Sequence, residues 1–322
     1  MTRMHQKISN LGCGLLQLFA LVMLCSPSAI AAERITIATP SRGLFEFPVV
    51  VGMRKGYFKD EGIDVDKVQM QPAIGVKALI SGDVDYLLAW GSALRAAVTG
   101  VPLKAVAGFA SRPLHVLVAR PEIKTPQDLK GKIIGVDSVA GTVDYLSRVA
   151  IRHFGMEPEK DVKIIVTGES PTRLLALRAG SIDATPIDVA FAVKAEDEGF
   201  KRLVYLGDII ELPLSGMAVM DTKLQTHREQ AKRVVRASVR GTRFMKQNRS
   251  ETVQMLSDYL RITPAQSAKA YDTSINSFTD DGMISDKGIH LDVQLTKERL
   301  KMTKDIPLSQ LVDWSLVKEI KY

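Results

Sequence analysis

Hydrophobic side chains along residues 34–221 follow two alternating rhythms. In Arg34–Thr39, apolar and polar residues alternate and several are β-branched, the period of a half-buried strand. The same signal predicts strands at Asp64–Met70, Tyr86–Ala89, Leu103–Phe109 and His115–Ala119. Between them the spacing widens to that of a helix. One helix opens at Pro48, where a missing N–H costs little, and ends near Gly56. Gly75–Ile80 is helical and stops at Ser81-Gly82, and Leu94–Val98 lies on a further helix.

The order then recurs. Strands are expected at Lys132–Val136, Val162–Val166, near Asp183 and at Arg202–Leu206. Helices are expected at Thr142–Phe154, with Val143, Leu146, Ala150 and Phe154 on one side, at Arg173–Ala179, stopped by Gly180, and at Val189–Glu198. Ala78-Leu79-Ile80-Ser81-Gly82-Asp83-Val84-Asp85 returns as Ala176-Leu177-Arg178-Ala179-Gly180-Ser181-Ile182-Asp183, an offset of 98 positions (176 − 78 = 98). The same offset lays Val106 on Val204 and Ile35-Thr36-Ile37 on Ile133-Ile134-Gly135. One α/β unit therefore occurs twice. Alternating strands and helices predict parallel sheets covered on both faces. Two such lobes leave a cleft between them, where small molecules bind.

From Lys223 onward the pattern is helical and charged, without strand signals. Helices are expected at Arg228–Gln247, Glu251–Leu260, Pro264–Ser277 and near Leu291–Thr303, and a tail of this kind is expected to pack on one lobe. Two passages join the lobes, around Ala110–Leu114 and around Ile210–Gly216, where Pro213 and Gly216 punctuate the chain. Two crossings make a hinge that can close on a ligand.

The first residues change the picture of where the protein works. Arg3 and Lys7, the apolar stretch Leu11–Leu24 and Ala29-Ile30-Ala31 read as an export signal cleaved after Ala31 or one residue later. A membrane anchor is the alternative, but the stretch holds Gln17 and is short for a span of about 20 residues. Lipidation of Cys25 is a lesser option, because Leu24 before it is bulky. Cys13 and Cys25 are the two cysteines, so the processed chain has none, which excludes thiol catalysis, thiolate metal sites and disulfides. Removing Arg3 and Lys7 takes the net charge from +7 to +5. An exported, mildly basic protein suits anionic solutes or surfaces, and nucleic acid is a poor partner for it.

No enzyme motif emerges. There is no His-Glu-x-x-His, Gly-x-Ser-x-Gly or P-loop, and the five histidines are dispersed. Asp83 and Asp85 suit a turn better than acid–base work or a metal. We expect no catalytic residue, no metal and no cofactor. Binding chemistry is expected where strands end and helices begin, at the carboxyl edge of the sheets. Asp137–Thr142 offers free backbone N–H groups, the hydroxyls of Ser138 and Thr142, and Gly141 to let a ligand near the backbone; capping by Thr142 is the plainer reading. In the first unit, Arg42 can hold a carboxylate or sulfonate, Phe45 and Trp90 can wall an apolar part, and Gly91 and Ser92 follow the strand. Their plainer readings are a solvated charge for Arg42 and core packing for Trp90. Arg112 at the first crossing is a second anion partner. Asp188 is the repeat partner of Trp90 (188 − 98 = 90) and faces it across the cleft, unless it only caps the helix at Val189. Arg228, Lys232, Arg236, Arg240 and Arg243 form a basic stripe, read as a solvated face or as a contact with a membrane partner.

Phe47-Pro48, Gly56-Tyr57-Phe58-Lys59-Asp60-Glu61-Gly62-Ile63-Asp64-Val65, Leu79–Tyr86 and Leu129–Val136 resemble the sulfonate-, nitrate- and taurine-binding proteins of ABC importers. The resemblance spans nearly the whole processed chain. It implies a type II periplasmic binding fold, two α/β lobes around a ligand cleft. It also implies capture of a small molecule in the periplasm and its delivery to an ABC permease in the inner membrane, by a monomer. The lobes would be 32–111 plus 214–322, and 112–213, after a signal peptide at 1–31. Sulfonates such as taurine or alkanesulfonates are the first ligand class, small carboxylates the next. Enzymes that make the thiamin pyrimidine resemble this chain in fold but carry a cysteine-rich iron motif that it lacks. A pyrimidine-precursor protein of that kind is the first alternative, a periplasmic ligand sensor the second.

Overall fold

The computed structural model describes residues 32–320. The expected export signal, its cleavage point and both cysteines lie outside the described residues. Among the described residues no helix is long and apolar enough to cross a membrane.

The repeated octapeptide closes a helix and starts a strand in the same way each time. Helix α3, Pro72–Ser81, ends at Gly82 with φ 83°, and its repeat partner α7, Ser170–Ala179, ends at Gly180 with φ 73°. Both are left-handed caps that glycine adopts without steric cost. Ser81 and Ser181 donate their hydroxyls to the carbonyls of Ala78 and Ala176. Then Asp85 accepts the N–H of Thr36 at 2.8 Å, and Asp183 accepts that of Ile133 at 2.9 Å. Each aspartate clips the next strand to the first strand of its unit. The turn reading of Asp85 holds, and Lys223 pairs with its other oxygen at 2.7 Å.

Two five-stranded sheets result. The first contains β1 (Glu33–Thr39), β2 (Ile63–Gln69), β3 (Tyr86–Leu87), β4 (Leu103–Ala110) and β10 (Ser215–Met220), in the order β2-β1-β3-β10-β4. The second contains β5 (His115–Ala119), β6 (Ile133–Val136), β7 (Lys163–Val166), β8 (Ala184–Asp188) and β9 (Lys201–Tyr205), in the order β7-β6-β8-β5-β9. The 98-residue offset carries one order onto the other. The remaining place in each sheet is taken by the strand that has just crossed from the other lobe. β10 runs antiparallel to β3 and β4, and β5 runs antiparallel to β8 and β9. The sheets are thus mixed, where all-parallel sheets were expected. A chain that leaves one sheet at its cleft edge enters the other at the cleft edge and must run away from it. β10 was not expected as a strand, and only its first two residues fall within the expected second crossing; its apolar run Met217–Met220 was the available signal. The crossings are 111–114 and 206–214.

Helices α1 (Phe47–Arg54), α2 (Tyr57–Asp60) and α4 (Trp90–Val98) belong to the first unit; α5 (Thr142–His153), α6 (Pro158–Asp161) and α8 (Val189–Asp197) belong to the second. The tail supplies α9 (Asp221–Thr226), α10 (Arg228–Gln247), α11 (Arg249–Leu260), α12 (Pro264–Ser274), α13 (Asp286–Leu300) and α14 (Ser315–Lys318). α10 buries Ala231, Val234, Val235, Ala237 and Val239 in one core with Ile37, Val49 and Phe58. It lies so close to α1 that a Cβ at Gly241 would stand 2.0 Å from the Pro48 carbonyl oxygen. Four cations of its basic stripe are ion-paired within the molecule: Arg240 pairs with Asp60, Arg236 with Glu61, and Arg228 and Lys232 share Glu319, while Arg243 donates to the Asp280 carbonyl. The stripe is therefore neither a purely solvated face nor a free one.

The tail does not pack on one lobe alone. Gln266 and Lys269 of α12 bond Asp197 and Glu196 of the second unit, Arg202 reaches Thr273, and the Tyr205 and Ser277 hydroxyls meet at 2.7 Å. One apolar cluster runs from Phe47 and Val51 through Met255 and Tyr271 to Val189 and Val193. Pairing of α12 with α8 leaves the tail bound to both sheets.

Candidate functional site

Both sheets turn their carboxyl edges toward a cavity of about 230 Å³. Its first wall is aromatic and apolar. β1 ends at Thr39, and the loop that follows brings Arg42 and Phe45 to the opening. The Phe45 carbonyl accepts the Ser215 hydroxyl, which ties the loop to β10. The Arg42 guanidinium lies 5.4 Å from the centroid of the Tyr259 ring, a cation–π attraction, and makes no hydrogen bond or ion pair among the described residues. Tyr259 in turn donates its hydroxyl to Glu46, a fully buried carboxylate that Lys67 also holds at 2.8 Å.

Trp90 begins α4 and is 2% exposed, so it is both core and wall. Its indole N–H donates to Asp292 at 3.0 Å, and its ring stacks on Trp314 at 6.3 Å and 9°. Burial pushes the Asp292 carboxyl up to about 7, against the pull of the indole, Arg95 and Arg299. Gly216 makes this packing possible, since a Cβ there would stand 2.5 Å from the indole ring. Gly91 and Ser92 line the cavity beside it, although the Ser92 hydroxyl already accepts a hydrogen bond from Arg95 at 2.8 Å.

The second wall is polar. Asp188 stands at the N-cap position of α8 without capping it through its side chain. Its carboxylate accepts the Ser170 hydroxyl at 2.5 Å and lies 3.7 Å from His115 Nε2. Behind it sits Arg173, 1% exposed, which donates to the carbonyls of Pro186 and Gly168 and to Ser170 Oγ. Burial lowers the pKa of Arg173 and of His115, while Asp188 opposes both shifts. His115 Nδ1 is buried without a hydrogen-bond partner among the described residues. Ser170 donates to the carboxylate rather than to the imidazole.

Of the expected residues, Arg42, Phe45, Trp90, Gly91, Ser92, Thr142 and Asp188 line this one cavity. Three do not. Arg112 is exposed at the first crossing and donates to the Gly207 carbonyl at 3.4 Å, linking the two crossings instead. Ser138 is exposed and bonds Asp137 of its own loop. Gly141, not Thr142, holds the N-cap position of α5. A Cβ on Gly141 would meet Ser138 Oγ at 2.2 Å, so the turn itself requires the glycine. The cavity also draws on Asp137, Glu169, Ser170, Arg173, His115 and Phe191. Ser170 was within reach of the offset, because α7 repeats α3, whose first residue, Pro72, also lines the cavity.

Two mixed-sheet α/β lobes around a cleft define the fold of periplasmic binding proteins. Residues 46–252 match the family described as NMT1/THI5 like, and the chain belongs to that family. Among its relatives, a riboflavin-binding protein, RibY, of Chloroflexus aurantiacus is 26% identical over 228 residues, 65% of this chain and 61% of that protein. The 4-amino-5-hydroxymethyl-2-methylpyrimidine phosphate synthase THI13 of Saccharomyces cerevisiae is 33% identical over 147 residues, 44% of this chain and 41% of the synthase. The chain thus spans under two thirds of the length of both. The crystal structure of the periplasmic aliphatic sulphonate binding protein SsuA from Escherichia coli superposes with a TM-score of 0.70 at 16% identity, covering 87% of this chain and 92% of that one. At that identity the likeness is one of fold.

Proposed function

We propose that this protein is an exported, monomeric solute-binding protein. It captures a small organic anion between its lobes and hands it to an ABC permease, without transforming it. The observation that carries the reading is the cavity formed by the carboxyl edges of both sheets, with Phe45 and Trp90 on one side and Asp188, Ser170 and His115 on the other. Closure about the crossings would bring the segments 32–111 with 214–322 and the segment 112–213 together, through contacts made only in the closed state. Arg42 lacks an ion pair among the described residues, and Thr142 Oγ1 makes no hydrogen bond there; both are placed to receive an anionic group.

A second reading rests on one observation. Asp137, Glu169 and Asp188 bring acceptors to the same wall, and an uncharged heterocycle with ring or amino N–H groups would satisfy them. Related proteins named for riboflavin and for a pyrimidine phosphate support it. The deciding experiment is a thermal-shift and calorimetric panel of taurine, alkanesulfonates, benzenesulfonate and small carboxylates against aminopyrimidines and riboflavin. Stabilisation by the anions, weakened about tenfold or more in Arg42→Ala and in Thr142→Ala, is the expected outcome. Stabilisation by pyrimidines or riboflavin alone would replace the ligand class.

A further inference from the structure

A second chamber of about 390 Å³ adjoins the cavity, and Arg95 and Thr142 line both. Its walls come from four places: the start of α5 with Gly141, Asp144 and Arg148, α4 with Arg95, Leu212 of the second crossing, and α13 with Asp292, Glu298 and Arg299. Three arginines and three carboxylates line it, and the exposed Glu298 accepts only from the neutral Gln294 at 2.9 Å. Asp144 is engaged, since it pairs with Arg148 at 2.7 Å and also accepts the Ala140 N–H at 2.7 Å. Arg95 is bonded only to the neutral Ser92 hydroxyl, and Arg299 has no ion pair among the described residues. The carboxyl of Asp292 is 8% exposed and one of its oxygens is already committed to the Trp90 N–H. The start of α5 favours negative charge as well, part of which Asp144 in its first turn already supplies.

The two chambers are joined chemically as well as in space. Trp90, the wall of the first, is held by Asp292, a wall of the second. A ligand confined to the first chamber would leave Arg95 and Arg299 without an ion pair, with the buried Asp292 and the exposed Glu298 as the neighbouring carboxylates.

We infer that the ligand is bipartite, with a flat apolar body against Trp90 and an anionic arm, a sulfonate, carboxylate or phosphate, that passes Thr142 into the second chamber between Arg95 and Arg299. This rests on the binding function proposed above and specifies the ligand of that site.

The test is calorimetric titration of the full protein with three probes of one ring: benzenesulfonate, phenylpropanesulfonate and phenylpropanol. Phenylpropanesulfonate should bind roughly tenfold to a hundredfold more tightly than either of the others. Arg299→Gln should erase that gain while leaving phenylpropanol binding unchanged, and Arg299→Lys should restore part of it. Arg299 is half-buried on an outer helix, so both variants should fold, and their melting curves verify it. Equal affinity for benzenesulfonate and phenylpropanesulfonate, or a gain that survives Arg299→Gln, overturns the inference and leaves the binding function standing. Failure of all three probes to bind, while pyrimidines do, overturns both.

Discussion

The two walls of the cleft stand on the same scaffold and offer opposite chemistry. Trp90 and Asp188 are repeat partners at the start of equivalent helices, α4 and α8, after equivalent strands, β3 and β8. One is an indole buried against a second indole, and the other is a carboxylate held by a serine beside a buried arginine. Pro72 and Ser170 open the paired helices α3 and α7 with the same contrast. Duplicated backbone therefore places side chains at the cleft without dictating what they are. The ends of the repeated elements are preserved by physics that any copy must obey: a glycine that turns left-handed and an aspartate that clips a strand. The cleft positions are under no such backbone constraint, and they have diverged.

This contrast can be broken from either side. The largest effect is expected for Trp90→Ala. It empties a fully buried site and should cost about 3–5 kcal/mol of stability, by urea denaturation, together with ligand binding. The polar wall should fail differently. Arg173→Met removes donors from two carbonyls and a serine, and should cost about 1–3 kcal/mol; a loss below this range would mean that water replaces those hydrogen bonds.

A third measurement probes the seam between the walls. Burial holds the Asp292 carboxyl at about 7 in the folded chain, above its ordinary value of 3.8. Between those values the folded state binds more protons than the unfolded one, so this group's contribution to stability falls as pH rises from 3.8 through about 7. Asp292→Asn should flatten that part of the stability–pH profile, and an unchanged slope would assign it to another group. The smallest effect belongs to Arg112→Ala. Exposed and bound by one long hydrogen bond, it should change stability by less than about 0.5 kcal/mol and leave affinity intact.

The legible part of the molecule was the part with local causes. The α/β alternation, the helix stops at Gly82 and Gly180 and the offset that relates the sheets were all readable along the chain. The antiparallel strands β5 and β10 were not read as such, because their direction follows from the path between lobes and not from any short pattern. The same limit governs the site. Residues next to a strand end, such as Arg42, Trp90 and Asp188, do line the cavity. Arg173 was not, since a charged residue inside a helix is ordinarily solvated, and only folding puts it behind the cleft. Ser138 and Gly141 lie outside that cavity, because a polar loop before a helix satisfies itself as readily as it satisfies a ligand. The family-like segment Gly56–Val65 is instructive too: its Asp60 and Glu61 pair with α10, so the residues that carry the resemblance secure packing and lie away from the cavity.

The stacked indoles have a practical consequence. Trp90 and Trp314 are the chain's two tryptophans, and one of them lines the cavity. Excited near 295 nm, the protein would emit solely from that pair, and an occupant touching Trp90 would alter the brightness or colour of nearly all of the signal. The molecule thus contains its own optical gauge of occupancy, at the point where the two chambers meet.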